Sequence, residues 1–326
     1  MAYKNGNYAT LEALQFEMRK DPHLTHLYEY DRPTAVSPMG KVIDLYKEFG
    51  SPRTTDWAPI DEEWLMGACL GMAMTGVRSI VRLPTMTSVR SYELAFNQLG
   101  KLRYMTGGQV AMPMVVWQMA QGRSAGLAGQ HADSGQESLY GTIPGVKVVV
   151  PSNPYDAKGL MHAALRDPDP VIYFHYSAQI DSIRVDVPDE DYVVPIGEAA
   201  VRQEGKDITI VGYGPAAVEI SKAAEGLKKA NIDAELIDPR TIKPMPVDAI
   251  VTSARKTGKL LVVDHGWNSF GTSGELIAAV VTRVPGVRAN RITFPDAPPP
   301  GEAGMIAWMT PDAPKIVDAA KKMLEA

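Results

Sequence analysis

Short apolar runs alternate along the chain with segments in which apolar residues recur every three or four positions. The first pattern predicts buried strands and the second predicts helices with one buried face. In the first half of the chain, the predicted strands are residues 77–83, 111–119, 146–152 and 170–176, and the clearest helix is 154–166. Because strands and helices alternate, we predict a parallel sheet covered on both faces.

A polar, proline-containing stretch at 182–199, "SIRVDVPDEDYVVPIGEA", interrupts this pattern, and a second α/β series follows it. That series has strands at "DITIVGYG", "DAELIDPR" and "KLLVVDHG", and helices at 215–230, 247–257, 272–284 and 313–324. The fold class is therefore α/β with two parts. We predict a first domain over 1–185, a linker over 186–199 and a smaller second domain over 200–326.

Composition narrows the class of protein. The chain of 326 residues is 45% hydrophobic and 22% charged, as is typical of a globular protein with a sizeable core. Its net charge of −5 provides no basic surface for nucleic acid. No apolar run approaches about 20 residues, so we expect no membrane span. The start of the chain lacks a leader pattern, and the single Cys69 predicts a buried thiol, so we expect a cytoplasmic protein.

One segment of the second domain resembles a dinucleotide fingerprint. "GYGPAA", residues 212–217, follows a predicted strand and opens a helix, and Asp238 ends the next strand. However, Pro215 removes one backbone N–H from the loop that would hold a pyrophosphate. A tight strand-to-helix turn needs small residues with or without a ligand, so we favour a structural turn over an NAD site.

Two glutamates stand at the start of a strongly apolar segment, "PIDEEWLMGACLGMAMTG", residues 59–76. A helix that is apolar on all sides is normally buried. Glu62 and Glu63 are then either solvated charges at a helix N-terminus, or one of them points into the interior. In the second case, burial would raise the pKa of that carboxyl and suit it to proton transfer.

A histidine lies in the glycine-rich stretch "QGRSAGLAGQHADSG", residues 121–135, after a predicted strand. Glycines let the backbone approach a ligand closely, and the carboxyl end of a parallel strand is a common place for a site. His131 is therefore a catalytic candidate, with a solvent-facing loop histidine as the alternative. We interpret the other histidines as surface or packing residues, with His265 intermediate, and no metal-binding motif is present.

Together these segments resemble the beta chain of the thiamine-diphosphate-dependent 2-oxo acid dehydrogenases, a transketolase-like family that acts on pyruvate, branched-chain 2-oxo acids or acetoin. The motifs are "PIDE" before the apolar helix, "KLRYMTGGQ", "AGQHADS" and, most specifically, "PGVKVVVPSNPYDAKGLMHAALRDPDPVIYF". The resemblance implies an N-terminal pyrimidine-binding domain and a transketolase-type C-terminal domain.

The resemblance also assigns site residues. Glu62 would hydrogen-bond ring nitrogen N1′ of the thiamine aminopyrimidine and shuttle its proton. His131 would act as acid, base or hydrogen-bond donor towards the substrate. Ile60, Leu83 and Glu29 would contact the cofactor.

The family's diphosphate motif, G-D-G followed by paired asparagines, is absent from this sequence. The resemblance therefore implies a partner alpha chain that carries Mg²⁺ and holds the diphosphate, an α₂β₂ assembly and, as an option, an acyltransferase core. The segment "ALRDPD" corresponds to a family loop that binds a monovalent cation such as K⁺, with a simple helix-ending turn as the alternative. Its candidate ligands are Val115, Ala164, Leu165, Asp167 and Asp169.

The match departs from the family pattern around the expected site. Arg82 stands where the family often has an acid, and only Glu29 remains of an N-terminal G-E-D segment. We therefore expect a 2-oxo acid or a related carbonyl substrate of acetoin or diketone type. The alternatives are the C-terminal half of a split transketolase or deoxyxylulose-phosphate synthase, and a non-catalytic assembly subunit.

Overall fold

The computed structural model describes residues 2–29, 33–55, 58–84, 88–120 and 135–325. Its contacts group these residues into two compact units. The first unit comprises the described residues up to 120 together with 139–196. The second comprises 135–138 and 197–325, so the division after residue 196 falls within the segment interpreted as a linker.

The elements up to residue 187 begin with a short strand and a long helix. The strands are β1 (Ala2–Lys4), β2 (Thr25–Tyr28), β3 (Thr34–Val36), β4 (Val42–Asp44), β5 (Thr54–Thr55), β6 (Ser79–Pro84), β7 (Met114–Ala120), β8 (Lys147–Val149), β9 (Val171–Tyr176) and β10 (Val185–Val187). The helices are α1 (Gly6–Lys20), α2 (Leu45–Phe49), α3 (Glu62–Met74), α4 (Leu102–Met105), α5 (Glu137–Gly141), α6 (Pro154–Arg166) and α7 (Ser177–Ile180), with short 3₁₀ and π turns at Ser88–Ser91 and Leu94–Leu99.

Six strands of the first unit form a parallel sheet in the order β8-β9-β7-β6-β2-β5. The pairs β1–β10 and β3–β4 are antiparallel. Helices α1 and α6 cover one face, where Ile80 and Trp117 join the hydrophobic core with Leu14 and Leu160. Helix α3 packs against β6, β7 and β2 on the other side. The predicted parallel sheet with helices on both faces is therefore present.

Local signals explain why α6 forms where it was predicted. The Asn153 side chain caps the helix by accepting from the Asp156 N–H, and Pro154 occupies the first turn. The strand predictions hold to within a few residues. Helix α1 was not predicted; Asn5 caps it by accepting from the Tyr8 N–H, and its inner face buries Leu11 among other residues.

The second unit contains a smaller sheet with helices on both faces. The strands of this unit are β11 (Ala200–Gln203), β12 (Ile208–Gly212), β13 (Ala234–Asp238), β14 (Thr241–Lys243), β15 (Lys259–Trp267) and β16 (Arg288–Phe294), and all except β14 belong to this sheet. Its helices are α8 (Pro215–Lys229), α9 (Val247–Thr257), α10 (Thr272–Val281), α11 (Ala303–Met309) and α12 (Ala313–Glu325). The sheet order is β11-β13-β12-β15-β16, and only β11 runs antiparallel to its neighbour. Strand β16 was not predicted.

Helix α3 differs from the sequence expectation. An apolar helix was expected to be buried all round, but Trp64 is 40% exposed and Met74 is 49% exposed, while Leu65 and Cys69 are buried. One side of the helix therefore packs on the sheet and the other side presents apolar groups to solvent. No helix in the described part of the chain is long and apolar enough to cross a membrane.

Candidate functional site

Glu62 is the first residue of helix α3. The Asp61 side chain caps the helix by accepting from the N–H groups of Glu63 (3.1 Å) and Trp64 (3.0 Å). This start directs the Glu62 side chain inward, where it is 3% exposed, whereas Glu63 lies on the surface. Of the two adjacent glutamates, only the first enters the interior.

A second carboxyl group lies beside Glu62. Glu29 follows strand β2 and is 7% exposed. Burial, and then the charge of Glu62 and a hydrogen bond with it, raise the pKa of Glu29 to about 7. The Oε1 atom of Glu29 has no hydrogen-bond partner among the described residues. Glu29 and Glu62 therefore form a buried carboxyl pair in which Glu29 holds a proton more readily than an ordinary glutamate does.

One cation lies near this carboxyl pair. The Arg90 Nη1 atom is 3.9 Å from the Glu62 Oε2 atom, and the Arg90 side chain is 67% exposed. Such an ion pair between an exposed arginine and a carboxylate is weak in water.

The remaining cofactor candidates lie close to these residues in sequence or in the sheet. Leu27 of β2 pairs with Val81 of β6. Glu29 lies two residues after Leu27, and Leu83 lies two residues after Val81. Because side chains alternate between the two faces of a sheet, Glu29 and Leu83 lie on the same face. Leu83 is fully buried, whereas Ile60 is largely exposed, two residues before helix α3. His131 lies outside the described residues.

Arg82 occupies the opposite face of the sheet. Its guanidinium lies 5.1 Å from the ring centroid of Trp117, whose other neighbours include the His26 ring at 6.2 Å. Neither ring nitrogen of His26 has a partner among the described residues, and burial, then the charge of Arg82, lowers the pKa of His26 to about 3. Arg82, which stands where the family often has an acid, therefore lies on the face of the sheet that α1 and α6 cover and not on the face of Glu62.

The loop at residues 164–169, the candidate site for a monovalent cation, already contacts a positively charged side chain. Arg78 Nη1 donates to the carbonyl oxygens of Leu165 (2.7 Å) and Asp167 (3.3 Å). The Ala164 carbonyl accepts from the Asp167 N–H at 3.3 Å. Val115, another candidate, is buried in β7. Two of the expected carbonyl ligands therefore converge on a guanidinium.

The carboxylates of the same loop are also neutralised. Lys147 Nζ lies 2.6 Å and 2.7 Å from the two oxygens of Asp167. Asp169 pairs with Arg103 and, at 3.4 Å, with Lys147. Any added cation at this loop has to compete with these side chains.

The fold also assembles a group that sequence spacing did not indicate. Glu17, His162 and Asp191 offer ligand atoms that all lie within 4.8 Å of one another. However, Arg166 Nη2 donates to Glu17 (2.5 Å) and to Asp191 (2.6 Å), and His162 Nδ1 lies 2.6 Å from Glu17. The guanidinium supplies the positive charge, so this is an ion-pair network that joins α1 to α6.

The dinucleotide-like segment is a turn. A Cβ at Gly212 would lie 3.0 Å from the carbonyl group of Ala216, so the turn needs a residue without a side chain. Asp238 accepts from Arg202 Nη2 (2.8 Å) and from the Arg240 N–H (2.9 Å), so its carboxylate serves the protein itself. His265 is a packing residue: it is buried, and its Nε2 lies 3.1 Å from the Pro311 carbonyl oxygen.

Comparison with known families agrees with this architecture. The family described as "Transketolase, pyrimidine binding domain" matches residues 5–177, and "Transketolase, C-terminal domain" matches residues 197–316. Among solved structures, the chain is similar to "Split gene transketolase, inactive beta4 tetramer", with a TM-score of 0.79, 20% identity, and coverage of 99% of this chain and 98% of that chain. The class is therefore a transketolase-like protein with two domains.

Curated relatives narrow the class further. The chain is 33% identical to "Pyruvate dehydrogenase E1 component subunit beta" of Bacillus subtilis, over 97% of each chain. It is 34% identical to "Acetoin:2,6-dichlorophenolindophenol oxidoreductase subunit beta" of the same organism, over 96% of this chain and 95% of that one. The chain belongs to the beta-subunit family of the thiamine-diphosphate-dependent 2-oxo acid dehydrogenases.

Proposed function

We propose that this chain is the beta subunit of a heteromeric thiamine-diphosphate enzyme that cleaves the bond next to the carbonyl of a 2-oxo acid or of an acetoin- or diketone-type substrate. The observation that carries the proposal is the buried carboxyl pair, Glu29 and Glu62, at the start of a helix with an exposed apolar side. A structural role alone gives no reason to bury two acids together, since burial and the charge of Glu62 disfavour ionisation of Glu29.

The pair has the properties that the pyrimidine half of the cofactor needs. Glu62 offers a carboxyl group for a hydrogen bond to ring nitrogen N1′, and its dry surroundings strengthen that bond. When bound, thiamine diphosphate supplies the electron sink for bond cleavage. Because the pKa of Glu29 lies at about 7, Glu29 can give a proton to Glu62 and recover it at neutral pH.

Three further residues belong to the proposal through the family resemblance. Leu83 and Ile60 would contact the pyrimidine ring, Leu83 from the buried face of β6. His131 would hold or donate a proton at the substrate carbonyl. The comparison of Glu62→Gln with Glu63→Gln tests the role of Glu62 independently of these three residues.

The partner in this proposal is an alpha chain that carries the diphosphate and Mg²⁺. Supporting it, several large apolar side chains of the first unit are exposed: Ile60, Trp64, Met74, Val89, Tyr104 and Met105. Exposed apolar groups in such number are typical of a surface that another protein covers. We propose an α₂β₂ assembly in which each cofactor lies between an alpha and a beta chain, with an acyltransferase core as a further binding partner.

The proposal also includes a monovalent cation at the loop after α6. The backbone carbonyl oxygens of Leu165 and Asp167 would hold K⁺ in competition with the Arg78 guanidinium that donates to them. The three cationic side chains at this loop weaken such a site. Its occupancy is tested by the response to K⁺ described in the Discussion.

The deciding experiment compares two adjacent variants in the complex with the co-expressed alpha chain. Glu62→Gln keeps the size of the side chain but cannot carry the proton, and Glu63→Gln removes a neighbouring surface charge as a matched control. We expect turnover and exchange of the cofactor C2 proton to fall at least about 100-fold in Glu62→Gln only. Assembly and thermal unfolding should be unchanged in both.

Full turnover in Glu62→Gln would overturn the proposal. The same complex, screened with 2-oxo acids, acetoin and diketones, then assigns the substrate class. Turnover of phosphorylated sugars instead would favour the split-transketolase alternative. Absence of cofactor-dependent activity from an assembled complex would favour an assembly subunit.

A further inference from the structure

One edge of the sheet in the second unit is open. Strand β16 is the last strand in the sheet order, and among the described residues it pairs only with β15. Its residues from Arg288 to Thr293 are exposed or half-buried, whereas the inner strands β12 and β13 are buried throughout. The outer edge of β16 therefore offers backbone N–H and C=O groups with which another extended segment can pair.

A groove follows this edge. It has a volume of about 690 Å³, and its walls include Arg291, Ile292 and Thr293 of β16, Trp308 of α11 and Lys315 of α12. Because neighbouring strand residues point to opposite faces of a sheet, a groove lined by three consecutive residues of β16 runs along its edge and not over one face. An extended peptide fits such a groove by adding a strand to the sheet.

Two exposed aromatic side chains belong to the groove and to the loop beside it. Trp308, in the wall of the groove, is 73% exposed. Phe270 is fully exposed, at a φ of +57° that a bulky residue rarely adopts. The preceding Ser269 donates from its backbone N–H and its hydroxyl to Asp296, which also lines the groove. The loop is thus held in a conformation that keeps a large apolar side chain in water, as is typical of a residue that a partner buries.

One cationic side chain of the groove is not used within the described part of the chain. The Arg291 guanidinium forms no hydrogen bond or ion pair with another described residue, and the charge of Asp296 attracts it without contact. By contrast, Lys315 Nζ donates to backbone carbonyl oxygens at the end of α11, that of Trp308 at 2.6 Å among them. Arg291 is therefore available to a carboxylate from outside, and Arg288, at the exposed start of the strand, adds a second positive charge.

We propose that the edge of β16, with Arg291 and Trp308, is a docking surface for an extended segment of a partner protein that carries a carboxylate side chain next to a large apolar one. The segment adds a strand to the sheet, its carboxylate pairs with Arg291, and its apolar side chain packs on Trp308. A second copy of this chain fits less well, since it would bring its own Arg288 and Arg291 to the same seam, and like charges oppose pairing. The inference does not depend on the proposed cofactor chemistry.

A display library of random ten-residue peptides, selected on the full-length chain, tests the chemistry of the partner. We expect wild type to select peptides with an acidic residue next to a large apolar residue. Arg291→Glu should select basic peptides instead. Arg255→Glu is the matched control, because it reverses an exposed charge on α9, and it should select the same peptides as wild type. Selection without a preference for acidic residues, or the same acidic peptides from Arg291→Glu, would overturn the inference.

The most enriched peptide, labelled with fluorescein, then measures binding directly. By fluorescence anisotropy, we expect Trp308→Ala and Arg291→Met to bind it at least about 10-fold more weakly than wild type. Val201→Ala is the control, since Val201 is an exposed apolar residue of β11 at the other edge of the sheet. Wild-type thermal unfolding confirms that each variant is folded. Equal affinities of all four proteins would contradict the inference.

Amide hydrogen exchange distinguishes strand addition from side-chain contact alone. Exchange of residues 288–294 should slow when the peptide is bound, because new backbone hydrogen bonds protect the open edge of β16. Unchanged exchange of this strand at saturating peptide would rule out strand addition and with it the inference. Self-association of the free chain that the peptide abolishes would identify a second copy as the occupant, which is also a negative result.

Discussion

Each unit buries a carboxylate, and the two carboxylates have opposite surroundings. In the second unit, Asp264 accepts hydrogen bonds from Tyr213 and from the backbone of Gly266 and Ser273. In the first unit, Glu29 faces Glu62, and the pKa of Glu29 is raised to about 7 by burial and by this neighbour. A buried acid with several donors stabilises the fold, whereas a buried acid beside another acid is suited to exchange protons.

The contrast extends to other buried polar groups. In the second unit, the hydroxyl of Thr209 lies 2.6 Å from that of Ser253 and 2.8 Å from that of Thr257, so the three satisfy one another. In the first unit, neither ring nitrogen of His26 has a partner among the described residues. Removing Asp264 should therefore destabilise the second unit, whereas removing Glu29 or His26 should relieve the first.

The largest effect is expected at Asp264. Asp264→Ala leaves the donors of Tyr213, Gly266 and Ser273 without an acceptor, and we expect the free energy of unfolding to fall by about 3–5 kcal/mol in urea titrations. Asp264→Asn keeps one carbonyl acceptor and should lose about half as much. A loss below about 1 kcal/mol in Asp264→Ala would show that the contrast between the two units is wrong.

An effect of the opposite sign is expected at Glu29. The pKa of Glu29 is raised from its ordinary value of 4.5 to about 7, so the folded state binds more protons than the unfolded state in this range, and stability falls as pH rises through it. Glu29→Gln removes this cost. We expect stabilisation by about 1–3 kcal/mol at pH 8 and little change at pH 4.5, measured by thermal unfolding at both values. Glu63→Gln, at an exposed site, should change neither.

A smaller effect with the opposite pH dependence is expected at His26. Its pKa is lowered from 6.5 to about 3, so the unfolded state binds more protons between these values and stability is lost as pH falls. His26→Leu removes the buried imidazole. The variant should gain about 1–2 kcal/mol over wild type at pH 4.5 relative to pH 8. Equal pH profiles of wild type and variant would contradict a neutral, buried His26.

The smallest effect is expected at the loop after α6. Arg78→Met frees the carbonyl oxygens of Leu165 and Asp167. K⁺ should then stabilise the variant against thermal unfolding by about 1 kcal/mol more than choline does. Arg53→Met is the control, because Arg53 also donates to backbone carbonyls, those of Met18, Asp21 and Leu24. A K⁺ effect of equal size in wild type would show that Arg78 and the cation bind together.

Much of the fold could be predicted because its signals are local. Helix α6 begins and ends at the predicted residues, where a cap, a proline and apolar spacing coincide. Helix α1 escaped prediction because its inner face also buries Thr10 and Glu17, which hydrogen-bond to Gly6 and His162. Polar residues that are paired inside the protein interrupt the apolar pattern on which the prediction depends.

The candidate site was predictable only in part. The sequence singled out Glu62 and Glu63 together, as carboxylates at the start of an apolar helix, and the family resemblance supplied the choice of Glu62 and the addition of Glu29. That the two carboxyls meet depends on the packing of α3 against the sheet, which no spacing in the sequence encodes.

The single cysteine of the chain can serve as a probe of local opening in the helix that carries Glu62. Cys69 is buried in α3, its carbonyl accepts from the Ser79 hydroxyl at 3.1 Å, and burial raises the pKa of its thiol to about 12. A thiol reagent can then react only when α3 transiently detaches from the sheet. Timed labelling, with and without the alpha chain, would report how often the helix opens and whether the partner holds it closed.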